Sequence, residues 1–159
     1  MRDISIIICG ILLSVFLVAG CPQWLHQESW WVAFLHHFFH ANIFHLAVNG
    51  LSLWLLFKHR WKVSALLAAY LFASLSWFCS NADPVGLSNI LFALIGMRTP
   101  SISHKWWRSQ GAVIFFGVNG LMVFFSHVSA ITHLVSFFLG FLYSAAAREI
   151  NRLSHDIGA

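Results

Sequence analysis

The chain has 159 residues, of which 59% are hydrophobic and 9% charged, with a formal charge of +4. A soluble domain carries about 25% charged residues and a disordered chain far fewer apolar ones. Both classes are therefore excluded in favour of one compact, membrane-embedded unit over residues 1–159. Cys9, Cys21 and Cys79 show no paired spacing, so neither a disulfide framework nor a zinc ribbon is expected.

Six apolar segments follow one another at 4–20, 41–57, 63–79, 86–97, 111–126 and 131–147. They predict an all-α fold: a polytopic membrane helical bundle of six transmembrane helices. The first has two readings. Arg2, the apolar run and Val18-Ala19-Gly20-Cys21 together look like a lipoprotein signal with small residues before its cleavage point. Asp3 weakens that pattern and five more spans follow, which favours a simple first span. Residues 21–39 then form a long external segment rich in aromatics: Trp24, Trp30, Trp31, Phe34, Phe38 and Phe39. Such density suits the membrane–water interface, so this segment is expected to lie against the bilayer.

The fourth segment stands apart. Twelve residues from Gly86 to Met97 make about 18 Å of helix, too short for a hydrocarbon core of roughly 30 Å. A helix that begins partway down needs its preceding loop buried in protein or lining a cavity. Pro84 would fix its entry and Pro100 would close it. Ser52, Ser74, Ser76 and Ser136 read as small packing residues within spans.

With six spans, all nine basic residues fall on one side: Arg2, Lys58, Arg60, Lys62, Arg98, Lys105, Arg108, Arg148 and Arg152. Positive loops stay cytoplasmic, so both termini are expected there, with Lys105-Trp-Trp-Arg108 as an interfacial anchor. The basic excess thus follows topology, and no nucleic-acid partner is expected.

Polar side chains inside spans are costly and mark function by default. Counted from the cytoplasmic charges at 1.5 Å per residue, Asn49 lies roughly 13 Å up, Ser88 about 15 Å, His45 about 20 Å and His133 about 22 Å. Three helices thus bring polar groups into one slab. His45 and Asn49, spaced i and i+4, share a face. Ser88, read as one turn into its helix, sits where exposed N–H groups favour developing negative charge. A hydroxyl with a histidine at similar depth meets the minimum for nucleophilic catalysis. His45, Asn49 and the Ser88 N–H could then donate to an oxyanion. No carboxylate lies inside a span, so a dyad is expected, with Asp83 read as a turn or cap residue.

These residues resemble the rhomboid intramembrane serine proteases. His40-Ala-Asn-Ile-Phe-His45-Leu-Ala-Val-Asn49 is similar to their H-x4-H-x3-N signature, and Gly86-Leu87-Ser88 to their G-x-S motif, continued by Ala93, Leu94 and Gly96. Ala130-Ile-Thr-His133 with Gly140 looks like their last-span motif. The resemblance covers spans two to six and implies a six-helix bundle with a water-filled cavity open to the outside. It implies Ser88 as nucleophile, His133 as general base and acid, His45 and Asn49 at the oxyanion and His40 in support. It further implies single-span membrane protein substrates, a lipid bilayer as surroundings, no cofactor and no metal. The implied location is a bacterial cytoplasmic (inner) membrane, with the site opening outward. Phe115, Phe116, Phe124 and Phe125 of span five read equally as a lateral gate or a packing stripe.

Four positions depart from the family pattern. Asn89 follows the nucleophile where Gly is usual, and Phe92 replaces a common Tyr, keeping the stacking surface without the hydroxyl. Ser136 stands for a Gly, which is expected to hold the last span slightly away from the fourth. Trp31-Val32 replaces Trp-Arg in the external segment. His26, His36, His37, His59, His104, His127 and His155 read as loop or interfacial residues. Two other classes remain open. One is an inactive rhomboid-like scaffold that binds transmembrane helices. The other is a metal or haem carrier, against which stands the five-residue offset of His40 and His45, expected to point them apart.

Overall fold

The computed structural model describes residues 2–19, 30–57, 60–79, 85–99 and 130–158. Every element among them is helical: α1 (Arg2–Ala19), α2 (Val32–Leu35), α3 (Ile43–Leu56), α4 (Val63–Ser76), α5 (Ser88–Arg98) and α6 (Ala130–Gly158). Short 3-10 turns continue α2 over His36–Phe38 and α4 over Trp77–Cys79. Five of the six expected segments thus fall on helices. The expected fifth span, with Phe115, Phe116, Phe124 and Phe125, lies outside the described residues, as do Pro84 and Pro100.

The boundaries follow local chemistry. Asn42 is extended, and its side chain accepts a 2.9 Å bond from the His45 N–H, which caps α3. Gly86, at φ 107°, occupies a backbone region closed to side-chain-bearing residues, and α5 begins two residues later at Ser88. Ser88 is therefore the first residue of its helix, not one turn inside it. At the other end of the chain, α6 runs on past the expected apolar segment into Arg148, Glu149 and Arg152. Those residues are solvated and helix-compatible, with an exposed Arg152–Glu149 pair one turn apart.

The eleven residues of α5 make about 16 Å of helix, and the bundle is built around them. Leu91, Ala93, Leu94 and Met97 form the centre of the core with Leu12 of α1, Leu46 and Leu53 of α3 and Ala69 of α4. A helix apolar all round is one that neighbours must enclose, and α5 is enclosed. The outer faces of the other helices are apolar as well: Leu17 is 73% exposed, Phe44 77% and Leu142 60%. Among the described residues one stretch, Ala130–Ser154 of α6, is long and apolar enough to cross a membrane, and α1, α3, α4 and α5 supply shorter apolar helices.

Helices α5 and α6 run side by side in the same direction, since contacting pairs rise together: Ser88 with His133, Ala93 with Gly140, Gly96 with Phe141. Their backbones touch. A Cβ on Gly140 would run into the Ala93 carbonyl, and one on Gly96 into the Phe137 carbonyl. Ser136 does not hold these helices apart, contrary to expectation. Its hydroxyl turns to α4 and donates to Ser76 at 2.9 Å, while Gly96 and Gly140 carry the close approach. Antiparallel to this pair, α4 crosses α6 through that bond and an edge-to-face contact of Phe72 with Tyr143 at 6.0 Å.

Replacing Gly140 with Ala should force α5 and α6 apart at the backbone and cost about 1–3 kcal/mol. Gly10→Ala is the control, because a Cβ there meets nothing within 4 Å. Thermal unfolding of both variants in detergent should show a lowered midpoint for Gly140→Ala alone.

Candidate active site

Each expected site residue sits at a helix end or on a face turned to α5. Ser88 opens α5, and His133 lies one turn into α6. His133 Nε2 and Ser88 Oγ are 2.8 Å apart, and both residues are buried, at 5% and 7% exposure. The Phe92 ring, one turn along α5 from Ser88, stacks on the imidazole with centroids 4.4 Å apart and planes 8° from parallel. The phenyl ring therefore supplies the flat support expected of it. If Nε2 accepts from the serine hydroxyl, the imidazole proton resides on Nδ1. That atom is buried and makes no hydrogen bond among the described residues. Among the described residues the imidazole thus bonds Ser88 through Nε2 and stacks on Phe92.

His45 and Asn49 reach the same place from α3. A Cβ built on Gly86 would lie 2.7 Å from His45 Cε1, 2.9 Å from His45 Nε2 and 3.1 Å from Asn49 Nδ2. Both side chains thus press against the backbone two residues before Ser88, and only glycine leaves room. Asn49 Nδ2 is a buried donor with no partner among the described residues. His40 is fully buried just before α3, with its ring edge-to-face on His45 at 5.3 Å. The two rings were expected to point apart, but the turn over 39–42 ahead of α3 swings His40 back onto His45. Among the described residues no group of three or more His, Cys, Asp or Glu is arranged to hold a metal.

Sequence reasoning missed the other half of the site wall. His36 and His37, read as loop or interfacial residues, are fully buried. The segment is helical and turns one face inward: Trp30 stays exposed, while Val32, Ala33, His36 and His37 are buried. Three bonds fasten it. Tyr70 of α4 donates to the Phe34 carbonyl at 2.8 Å, and His37 Nε2 bonds Ser74 at 3.2 Å. The Gly86 N–H donates to the His36 carbonyl at 3.0 Å. Ser74 already donates to the Tyr70 carbonyl, so His37 Nε2 is the donor toward it. His36 Nδ1 likewise donates to the Val32 carbonyl at 3.1 Å. The remaining ring nitrogens, His36 Nε2 and His37 Nδ1, face no hydrogen-bond partner among the described residues. The i, i+4 spacing of Tyr70 and Ser74 was the available signal, since it aims two hydroxyls from one helix face. His26, His59, His104 and His127 lie outside the described residues, and His155 falls in α6.

No family profile matches this chain, and no curated protein matches it.

Burial holds the His36 imidazole down to about 4. It holds His37 well below the ordinary histidine value, with the adjacent His36 adding to the effect. A histidine near 6.5 when unfolded but lower when folded takes up its proton in the unfolded chain first. Stability should therefore be full above about pH 6.5 and fall as pH drops from there toward 4. Thermal midpoints measured across that range should decline, and the decline should be shallower in His37→Gln.

Proposed function

We propose that this chain is a rhomboid-type intramembrane serine endopeptidase that cuts transmembrane segments of single-span membrane proteins with a Ser88–His133 dyad. The observation that carries this reading is the buried 2.8 Å bond between Ser88 Oγ and His133 Nε2, bridging two helices 45 positions apart in sequence. A packing serine and a satisfied interior histidine would not also need a stacked ring on the imidazole and two amide- or imidazole-bearing side chains crowding Gly86.

In the proposed reaction His133 Nε2 takes the hydroxyl proton as Ser88 Oγ attacks the scissile carbonyl. The oxyanion forms beside the N–H groups that open α5, which have no partner within their own helix. Asn49 Nδ2 and a protonated nitrogen of His45 stand next to that place and can donate to the developing charge. The imidazolium returns its proton to the leaving amine, giving an acyl-enzyme. Water, deprotonated by the same imidazole, then releases the acid. His40 orients the His45 ring from behind.

The setting in a bilayer is part of the proposal. Its support is the inverted polarity of the bundle: large apolar side chains face outward on α1, α3, α4 and α6, while His40, His45, Asn49 and Ser88 lie inside. In water such a surface would drive association; in lipid it is the expected one. The one-sided distribution of the nine basic residues supports cytoplasmic termini and an outward-facing site in a bacterial inner membrane.

Labelling with a serine-reactive fluorophosphonate tests the assignment. Wild type should label, Ser88→Ala should not, and His133→Ala should label at least about 10²-fold more slowly. Persistent labelling of Ser88→Ala would defeat the assignment. A wild type that does not label but still captures transmembrane helices would point to a scaffold. Gly86→Ala, whose methyl collides with His45, should slow labelling on the order of 10²-fold.

A further inference from the structure

Beside the Ser88–His133 bond runs a second one. Thr132, immediately before His133, donates from Oγ1 to Asn89 Oδ1, immediately after Ser88, at 3.0 Å. Asn89 is 1% exposed and Thr132 fully buried, so neither side chain faces solvent. From the geometry we infer that Asn89 and Thr132 are positioning residues for the dyad, a strut that sets the rotation and register of α6 against α5. This inference rests on the proposed dyad chemistry.

The need for a strut follows from how the two helices otherwise meet. Their backbone contact is at Ala93, Gly96 and Gly140, and Gly96 lies eight residues along α5 from Ser88, or about 12 Å of helix. Glycine contacts are close but not directional, so they allow one helix to roll on the other. A roll that shifts the far end by about 1 Å is enough to break a reactive alignment. Adjacent residues on a helix project about 100° apart. Two bonds made from neighbouring pairs, 88 with 133 and 89 with 132, therefore cannot both survive a roll. The dyad bond has to be broken and remade in every turnover, because its proton moves. The Asn89–Thr132 bond carries no such proton and can hold the helices while the other changes. An asparagine after the nucleophile, where a glycine would leave only backbone, is what makes this second bond available.

The test is a double-variant cycle on the rate of fluorophosphonate labelling at Ser88, with saturating probe so that the maximal rate separates from probe affinity. Thr132→Val keeps the shape and removes the donor; Asn89→Ala removes the acceptor from the other helix and carries the test if Thr132→Val does not fold. Each single variant should lower the maximal rate about tenfold with probe affinity unchanged, and the double variant should be no slower than either. Thr132→Ser, which keeps the hydroxyl, should recover the rate to within about threefold. Single variants that label at the wild-type rate, even with lowered thermal midpoints, would overturn the positioning role and leave the dyad standing. Effects that multiply in the double variant would also overturn it. A wild type that does not label at all would overturn the dyad and the strut together.

Discussion

The contact on which the remaining geometry depends is the meeting of two helix backbones, α5 against α6, through Gly96 and Gly140. Side chains normally keep helix axes 8–10 Å apart. With no Cβ at Gly96 and Gly140, α5 and α6 approach until their backbones touch, and Ser88 Oγ and His133 Nε2 meet at 2.8 Å beyond that contact. Phe92 stacks on the imidazole beside that approach, Ser136 is turned away toward α4, and the backbone of Ala93 lies against Gly140.

A second constraint comes from the loop side. Gly86 is pressed on by His45 and Asn49 and is tied by its N–H to the His36 carbonyl. The described part of the segment before α3 thus packs its inner face against the residues that surround Gly86. Buried neutral histidines suit that task. His36 and His37 each offer one donor, to the Val32 carbonyl and the Ser74 hydroxyl, and a bare ring nitrogen is less costly to bury than an unpaired N–H.

The sequence made the helices legible because apolar runs are long and the charges that separate them are few. The short fourth helix was readable from length alone, and the depth count placed Ser88, His133, His45 and Asn49 in one slab from helical rise. What the count could not give was rotation about each helix axis. It therefore missed that Ser136 faces α4, that Asn89 faces Thr132, and that His40 folds back onto His45. The burial of His36 and His37 was hidden for a different reason. Aromatic residues on the outward side of the same segment, Trp30 and Phe38 among them, carry the signal of an interface and mask the positions that turn in. The start of α5 falls two residues later than the apolar segment because Gly86 and Leu87 are as apolar as the helix they precede, and the positive φ of Gly86 sets them apart from it.

The order of α5 and α6 along the chain bears on when Ser88 and His133 can meet. Ser88 and its helix are made well before His133, and α5 has no surface of its own that does not belong against a neighbour. Until α6 arrives, α5 lacks the partner that Gly96 is shaped for, and Ser88 stands without an imidazole. On the proposed chemistry, a chain still being synthesised carries an inert hydroxyl. On that reading the order of residues along the polypeptide acts as a safeguard, withholding His133 until the helices α1 to α5 have been made.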